Sequence, residues 1–300
     1  MHQARISKII FKDESSFSSI EKLKAIIIIT MNVDEKNNNK NPPQENINFI
    51  LKLFNSKKLD KAKNEIYNQL NKHQSSPILF NILGAVLADQ NKLKEAIKNY
   101  NKSISIDPSY AQAYNNLGVC LYKSGKINES ISFYNKAIEI QPNDANSYNN
   151  LGASLKKLGE HQKSIKSYEK AIEINPAHVD AYNNLGTAFK ELGEHDKSMT
   201  FYEKAIELDP KHADANNNLG TFFRELREFK KSIYYYEKTI FHNPTSVIGY
   251  SNMGNAYKGL GEYKKAIDFY KKGIEVNKNY ADIYFNLGTL FEEINEFDKA

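Results

Sequence analysis

The stretch Ala111-Gln112-Ala113-Tyr114-Asn115-Asn116-Leu117-Gly118 returns as Ala145-Asn146-Ser147-Tyr148-Asn149-Asn150-Leu151-Gly152, and again with small changes from Val179, Ala213, Val247 and Ala281. Each step is 34 residues. Carried backward, the register finds a divergent copy at Pro77 and a more divergent one at Pro43. Residues 43–280 therefore hold seven repeats without an insertion, and residues 281–300 begin an eighth. A fixed period of this length marks a solenoid, whose units bury a core only by stacking on their neighbours.

Each repeat carries two helical periodicities. Tyr114, Leu117, Gly118 and Leu121 fall at spacings of three and four, and so share one face of a first helix. Ile127, Ser130, Ile131, Tyr134, Ala137 and Ile138 do the same for a second. Gly125 lies between them and recurs as Gly159, Gly193 and Gly261, at the place where a helix ends in a left-handed turn. Pro108, Pro142, Pro176, Pro210 and Pro244 close successive repeats, since proline cannot continue the second helix. Small residues recur where helices must approach closely: Gly84 through Gly288 in the first helix, and Ala96, Ser130, Ser164, Ser198, Ser232 and Ala266 in the second. Large tyrosines from Tyr100 to Tyr270 fill the space around them.

This order of aromatic, Leu-Gly, small, aromatic, small and Pro resembles the tetratricopeptide repeat family, over about four fifths of the chain. The resemblance implies an all-α solenoid, a right-handed superhelix of antiparallel helix pairs whose first helices line an inner, partner-binding surface. The expected organisation is a disordered leader over 1–42, a divergent N-terminal capping repeat over 43–76, six repeats over 77–280 and a truncated eighth over 281–300. Residues 43–76 are read as a cap because they have Phe49 and Ile50 where Leu-Gly stands elsewhere. Three departures predict looser packing: Asn216 for the first-helix tyrosine, Arg227 for the turn glycine and Lys278 for the closing proline. The sequence stops at Ala300 inside a second helix, which reads as the amino-terminal part of a longer protein.

Ahead of the repeats, the Asn-, Lys- and Pro-rich segment up to Gln44 is too polar to bury anything. The apolar run Ala25-Ile26-Ile27-Ile28-Ile29-Thr30-Met31 is far shorter than the ~20 residues a membrane span requires. No small-x-small cleavage site follows it, and a true start at Met31 is favoured over a secretory signal. The net charge of +5 is a slight excess of 41 basic over 36 acidic residues, not gathered into a block, which argues against nucleic acid as a partner. The single cysteine, Cys120, sits among apolar residues and reads as a small hydrophobe in a reducing, cytoplasmic setting.

Repeat positions are counted here from Ala111 as position 1. Positions 2, 5, 6, 9, 12 and 13 lie on the face of the first helix not used for packing. Position 6 is Asn116, Asn150, Asn184, Asn218, Asn252 and Asn286 without exception, whereas the neighbouring position 5 gives way to Ser251 and Phe285. A carboxamide both donates and accepts, so a ladder of them can grip an extended backbone whatever its side chains. Six such contacts at a net ~0.5–1.5 kcal/mol each total on the order of 3–9 kcal/mol before ordering costs. Position 12 carries Lys156, Lys190, Arg224 and Lys258, a basic stripe that favours acidic peptides, partly offset by Asp180, Asp214 and Asp282 at position 2.

The ladder looks like that lining the groove of O-GlcNAc transferases, whose repeats feed substrates to a carboxy-terminal glycosyltransferase. No residue of such a domain lies in this sequence. Chaperone-binding family members clamp a terminal carboxylate with Lys or Arg at positions 2, 5 and 6, and this chain has neither there. Gly125-Lys126 lacks the glycine spacing and the Ser or Thr of a phosphate loop. His161 with His195, and His178 with His212, stand one repeat apart without a third ligand, so no metal site is expected. His161 and His195 occupy a slot expected to be half-buried. No catalytic residues, cofactor or membrane contact are expected, and oligomeric state is not legible. The function expected is a protein-interaction module holding extended segments of partner proteins, with an alternative as the substrate-recruiting arm of a glycosyltransferase or sulfotransferase whose catalytic domain lies beyond Ala300.

Overall fold

The computed structural model describes residues 40–294, which hold fifteen α-helices and no strand. The Met31 start, almost all of the leader and the last residues up to Ala300 lie outside the described residues. The chain divides into two compact units after Ala181. The first contains α1 (Gln44–Asn55), α2 (Leu59–Lys72), α3 (Pro77–Asp89), α4 (Leu93–Ile106), α5 (Ala111–Lys123), α6 (Ile127–Ile140), α7 (Ala145–Lys157) and α8 (His161–Ile174). α9 (Val179–Glu191) spans the division. The second unit continues with α10 (His195–Leu208), α11 (Ala213–Glu225), α12 (Phe229–His242), α13 (Val247–Gly259), α14 (Tyr263–Val276) and α15 (Ala281–Glu293).

Helices pair because the turns within a pair are too short for anything but antiparallel neighbours. Gly125, Gly159, Gly193 and Gly261 take φ of 78°, 78°, 77° and 75°. Across the first of these, the Lys126 N–H donates to the Leu121 carbonyl at 2.9 Å, closing the helix end. Arg227 adopts the same turn with φ 60°, and the Glu228 N–H still reaches the Phe223 carbonyl at 2.9 Å. The departure at Arg227 has thus kept the geometry and taken on backbone strain.

Inside the six pairs from α3–α4 to α13–α14 a tyrosine ring packs against a glycine. A Cβ on Gly118 would stand 2.6 Å from Cε1 of Tyr134, and one on Gly152 the same distance from Cε1 of Tyr168. The second unit repeats the contact at Gly220 with Tyr236 and at Gly254 with Tyr270. Tyr168, Tyr236 and Tyr270 are fully buried. The small second-helix positions Ala96, Ser130, Ser164, Ser198, Ser232 and Ala266 are buried too, and Ser164 Oγ donates to the Gly152 carbonyl at 2.8 Å.

The divergent pair α1 and α2 builds its core from Ile47, Ile50, Phe54 and Ile66, leaving Phe49 half exposed. Cys120 is buried in the same core, and burial pushes its thiol up to about 11, as befits an inert packing group. The other two departures are locally tied down. Asn216 is buried and its Nδ2 donates to the carbonyls of Pro210 (3.2 Å) and His212 (2.9 Å), although its Oδ1 finds no partner. At Lys278 the turn survives without proline because Asn277 Oδ1 accepts from the Asn279 N–H at 3.0 Å. Asp107 does the same toward Ser109, at 2.9 Å.

Two outcomes are expected in urea titrations. Gly220→Ala drives a methyl into a ring with nowhere to go; overpacking of about 1–3 kcal/mol outweighs a helix-propensity gain of about 1, so the midpoint falls. Arg227→Gly raises it by roughly 0.5–1 kcal/mol, because relief of about 1–2 of left-handed strain exceeds the added unfolded-chain entropy of about 0.5–1.

Candidate peptide-binding face

The first helices present positions 5 and 6 side by side, and the structure joins them between successive repeats. Asn116 Nδ2 donates to Asn81 Oδ1 at 2.9 Å, and Asn150 Nδ2 to Asn115 Oδ1 at 3.0 Å, in the first unit. In the second unit Asn218 donates to Asn183 and Asn252 to Asn217, both at 2.9 Å. Asn286 completes the series on Ser251 Oγ at 3.1 Å, so the serine at position 5 still serves as acceptor. Position 6 therefore ties each of these repeats to the one before it. Asn184, the remaining member of the row, lies on α9 half-buried like Asn150, Asn218, Asn252 and Asn286.

One N–H of each of these carboxamides is committed to the fold, and the second N–H and the oxygen are what remain for a ligand. Gln112 Nε2 occupies Asn116 Oδ1 at 3.3 Å. The Oδ1 atoms of Asn150, Asn218, Asn252 and Asn286 accept no hydrogen bond from the described residues, and none is a buried orphan. The row can accept backbone N–H groups. Half of its capacity to donate is already used, and the second N–H of each group stays available to the two-sided grip read from sequence.

A second inter-repeat pairing runs through positions 12 and 13. Lys190 Nζ meets Glu225 at 2.8 Å and Lys258 Nζ meets Glu293 at 2.7 Å, each pair 35 residues apart. Tyr263 also donates to Glu293, at 3.3 Å, and the Lys258 hydrogen bond holds that carboxyl below the usual carboxylate range. Surface pairs of this kind contribute little stability, roughly 0–1 kcal/mol, but they neutralise the lysines locally. Lys156 occupies the same position on α7, half-buried. Arg224 on α11 is different: it makes no hydrogen bond or ion pair through its side chain among the described residues, and its Nε is buried without a partner. The uniform basic stripe of the sequence is in the structure an uneven one.

His178 and His212 sit just ahead of first helices, where their Nδ1 atoms accept the N–H of Ala181 (3.3 Å) and Ala215 (3.1 Å) as helix caps. His161 is half-buried, whereas His195 is exposed, with its ring centroid 6.1 Å from that of Phe222, so the slot is less enclosed there than its spacing suggests. Among the described residues no group of three or more His, Cys, Asp or Glu is placed to hold a metal ion. None of the described helices is long and apolar enough to cross a membrane.

Sequence reasoning missed the partners of the row. Position 5 supplies the acceptors and position 13 the carboxylates, and both pairings run at a spacing of 35, one residue off the repeat. The signal was present as Asn or Ser at every position 5 that faces a following position 6.

Comparison with known proteins places these features. Models of the tetratricopeptide repeat match residues 109–177, 143–211, 201–234, 247–280 and 269–300, and a model described as TPR repeat matches 84–125. No curated protein matches the chain. Among solved structures it is similar to the APC/C hetero-tetramer Cut9-Hcn1, at 18% identity over 76% of this chain with a TM-score of 0.69. The chain spans less than half, 46%, of that longer one. It is also similar to pilF of Pseudomonas aeruginosa, at 16% identity over 72% of this chain and 97% of that one, with a TM-score of 0.61. Both likenesses are of fold, an all-α tetratricopeptide arrangement.

The Asn217–Asn252 pair gives a direct check of the inter-repeat bond. A double-mutant cycle with Asn217→Ala and Asn252→Ala is expected to show a coupling of about 0.5–1.5 kcal/mol in folding stability, while Asn217→Ala combined with Asn150→Ala is additive.

Proposed function

Because this chain belongs to the tetratricopeptide repeat family, we propose that it is a protein-interaction module that holds extended segments of partner proteins against the exposed faces of its first helices. The observation that carries this reading is the row of carboxamide oxygens at Asn218, Asn252 and Asn286, with Asn150 in the first unit, each fixed by its own Nδ2 and open at Oδ1. Side chains already immobilised by the fold lose little further entropy on binding, so each acceptor starts preorganised. Extended backbone offers N–H groups in any sequence, and the row reads that common feature. Asn116 and Asn184 belong to the same row, and Lys156, Lys190, Arg224 and Lys258 border it; an acidic segment is favoured by Arg224, whose charge meets no carboxylate among the described residues. The alternative reading as the recruiting arm of a transferase is favoured by none of these observations. A reducing, cytoplasmic setting remains the proposal made from the lone Cys120.

The test separates ligand contact from folding. Asn150, Asn218 and Asn252 changed together to Ala are expected to weaken binding to a panel of unstructured peptides by about tenfold or more. The set Asn115, Asn183 and Asn217 changed to Ala breaks the same inter-repeat bonds but leaves the position 6 oxygens in place, and is expected to bind within about threefold of the parent chain. Equal weakening by both sets, with helicity retained by circular dichroism, would assign the carboxamides to the fold alone.

A further inference from the structure

In the second unit, three first helices end in the same two positions, a cation at 12 and a residue at 13 facing the cation of the repeat before. Glu225 on α11 answers Lys190 on α9, and Glu293 on α15 answers Lys258 on α13. The residue that stands in this relation to Arg224 is Gly259, the last residue of α13. The exchange is built in. A Cβ on Gly259 would lie 2.3 Å from Cε1 of Phe229, the first residue of α12, so the ring occupies the space a side chain would need. Position 13 of this repeat is closed to any carboxylate the chain might supply.

Among the described residues no other carboxylate answers Arg224. Glu225 is held by Lys190, and Glu293 by Lys258 and Tyr263. Tyr270, close enough for the Arg224 charge to act on its hydroxyl, donates that hydroxyl to Asn255 Oδ1 at 2.7 Å. Asp214 is ten residues earlier on α11, about 15 Å along the helix and beyond the ~10 Å screening length at 0.1 M salt. Arg224 is half-buried, its Nε is enclosed and unpaired, and its terminal nitrogens are not buried. A guanidinium keeps its charge in any such setting and presents a planar fork that matches a carboxylate.

We propose that Arg224 is the acid-reading position of this face, seating one aspartate or glutamate side chain of the bound segment where Gly259 withholds the carboxylate that the neighbouring repeats provide. This rests on the peptide-binding reading above. Open acceptors stand on the cation's own helix and on the two first helices that follow it, at Asn218, Asn252 and Asn286, so the segment is held from the cation across two further repeats. A single arginine also differs from the several basic residues that a terminal clamp would require.

The test uses the full chain and a library of unstructured twelve-residue peptides with amidated C-termini, so that no terminal carboxylate contributes. The parent chain is expected to select peptides carrying Asp or Glu at one fixed position. R224Q is expected to bind those peptides about tenfold more weakly, the loss of one charge-assisted contact, and to bind their Asp→Asn versions as the parent chain does. K258Q, which removes a cation already answered by Glu293, is expected to change affinity by less than about threefold. Because Arg224 makes no ion pair in the fold, R224Q should unfold at the parent midpoint, which keeps a binding loss interpretable. Selection of the same neutral peptides by parent and R224Q overturns the role of Arg224 and leaves the binding face intact. Preference for phosphoserine over Asp at the selected position overturns the carboxylate assignment, and a library from which neither chain selects anything overturns the binding face and this proposal together.

Discussion

The contact between a first-helix glycine and a second-helix tyrosine is what the rest of this structure depends on. With a ring atom standing 2.4–2.8 Å from where each Cβ would be, the two helices approach as closely as backbone allows. A side chain at any of these glycines would force the ring or the helices to shift. The tyrosines are among the largest fully buried groups in the chain, so each contact also supplies much of the apolar burial of its repeat. That explains why Arg227 and Lys278 are tolerated. Neither touches the glycine or the ring, and each keeps its turn by backbone or side-chain hydrogen bonds made elsewhere.

Once the pairs are fixed, the open faces of the first helices are brought into a repeating relation, and polar groups join them. The joining uses up chemistry. A carboxamide has two donors and an acceptor, and the row from Asn116 to Asn286 spends a donor wherever its partner is identified. Each carboxamide keeps its second N–H, so affinity on the order of 3–9 kcal/mol from six contacts, before ordering costs, remains the expectation. What the face loses in contacts it regains in rigidity, since an asparagine held by a neighbouring repeat does not have to be ordered by its ligand.

The period, the two helices of each repeat, the turn glycines and the tyrosine-on-glycine packing were all legible in the sequence, because each recurs in a single column of the 34-residue register. The pairings that define the candidate site were not. Asn252 with Asn217, and Lys258 with Glu293, join different columns at a spacing of 35, and a column-by-column reading shows each residue without its partner. The same blindness made Lys190 and Arg224 look alike, when one has a carboxylate and the other has none. The histidines show a different limit. His178 and His212 look like a repeated pair, yet the Nδ1 of each caps the first turn of its own helix, a role set by backbone geometry and open to many residue types.

A ladder of equal contacts has a weakness as a recognition device: a peptide displaced by one repeat finds the same acceptors and nearly the same energy. Uniform repeats give affinity without register. Register requires a position unlike the others, and in the second unit Arg224 is such a position, because the glycine at 259 removes its answering carboxylate while Phe229 prevents its return. A segment with an acid at the matching place gains a contact in one alignment and not in the next, and a difference of about 1.4 kcal/mol already biases the alignment tenfold. Departures from the repeat are thus of two kinds. Asn216, Arg227 and Lys278 are absorbed by local hydrogen bonds and turn geometry, whereas the glycine at 259 leaves the Arg224 charge without a carboxylate among the described residues, and that charge can tell one alignment from another.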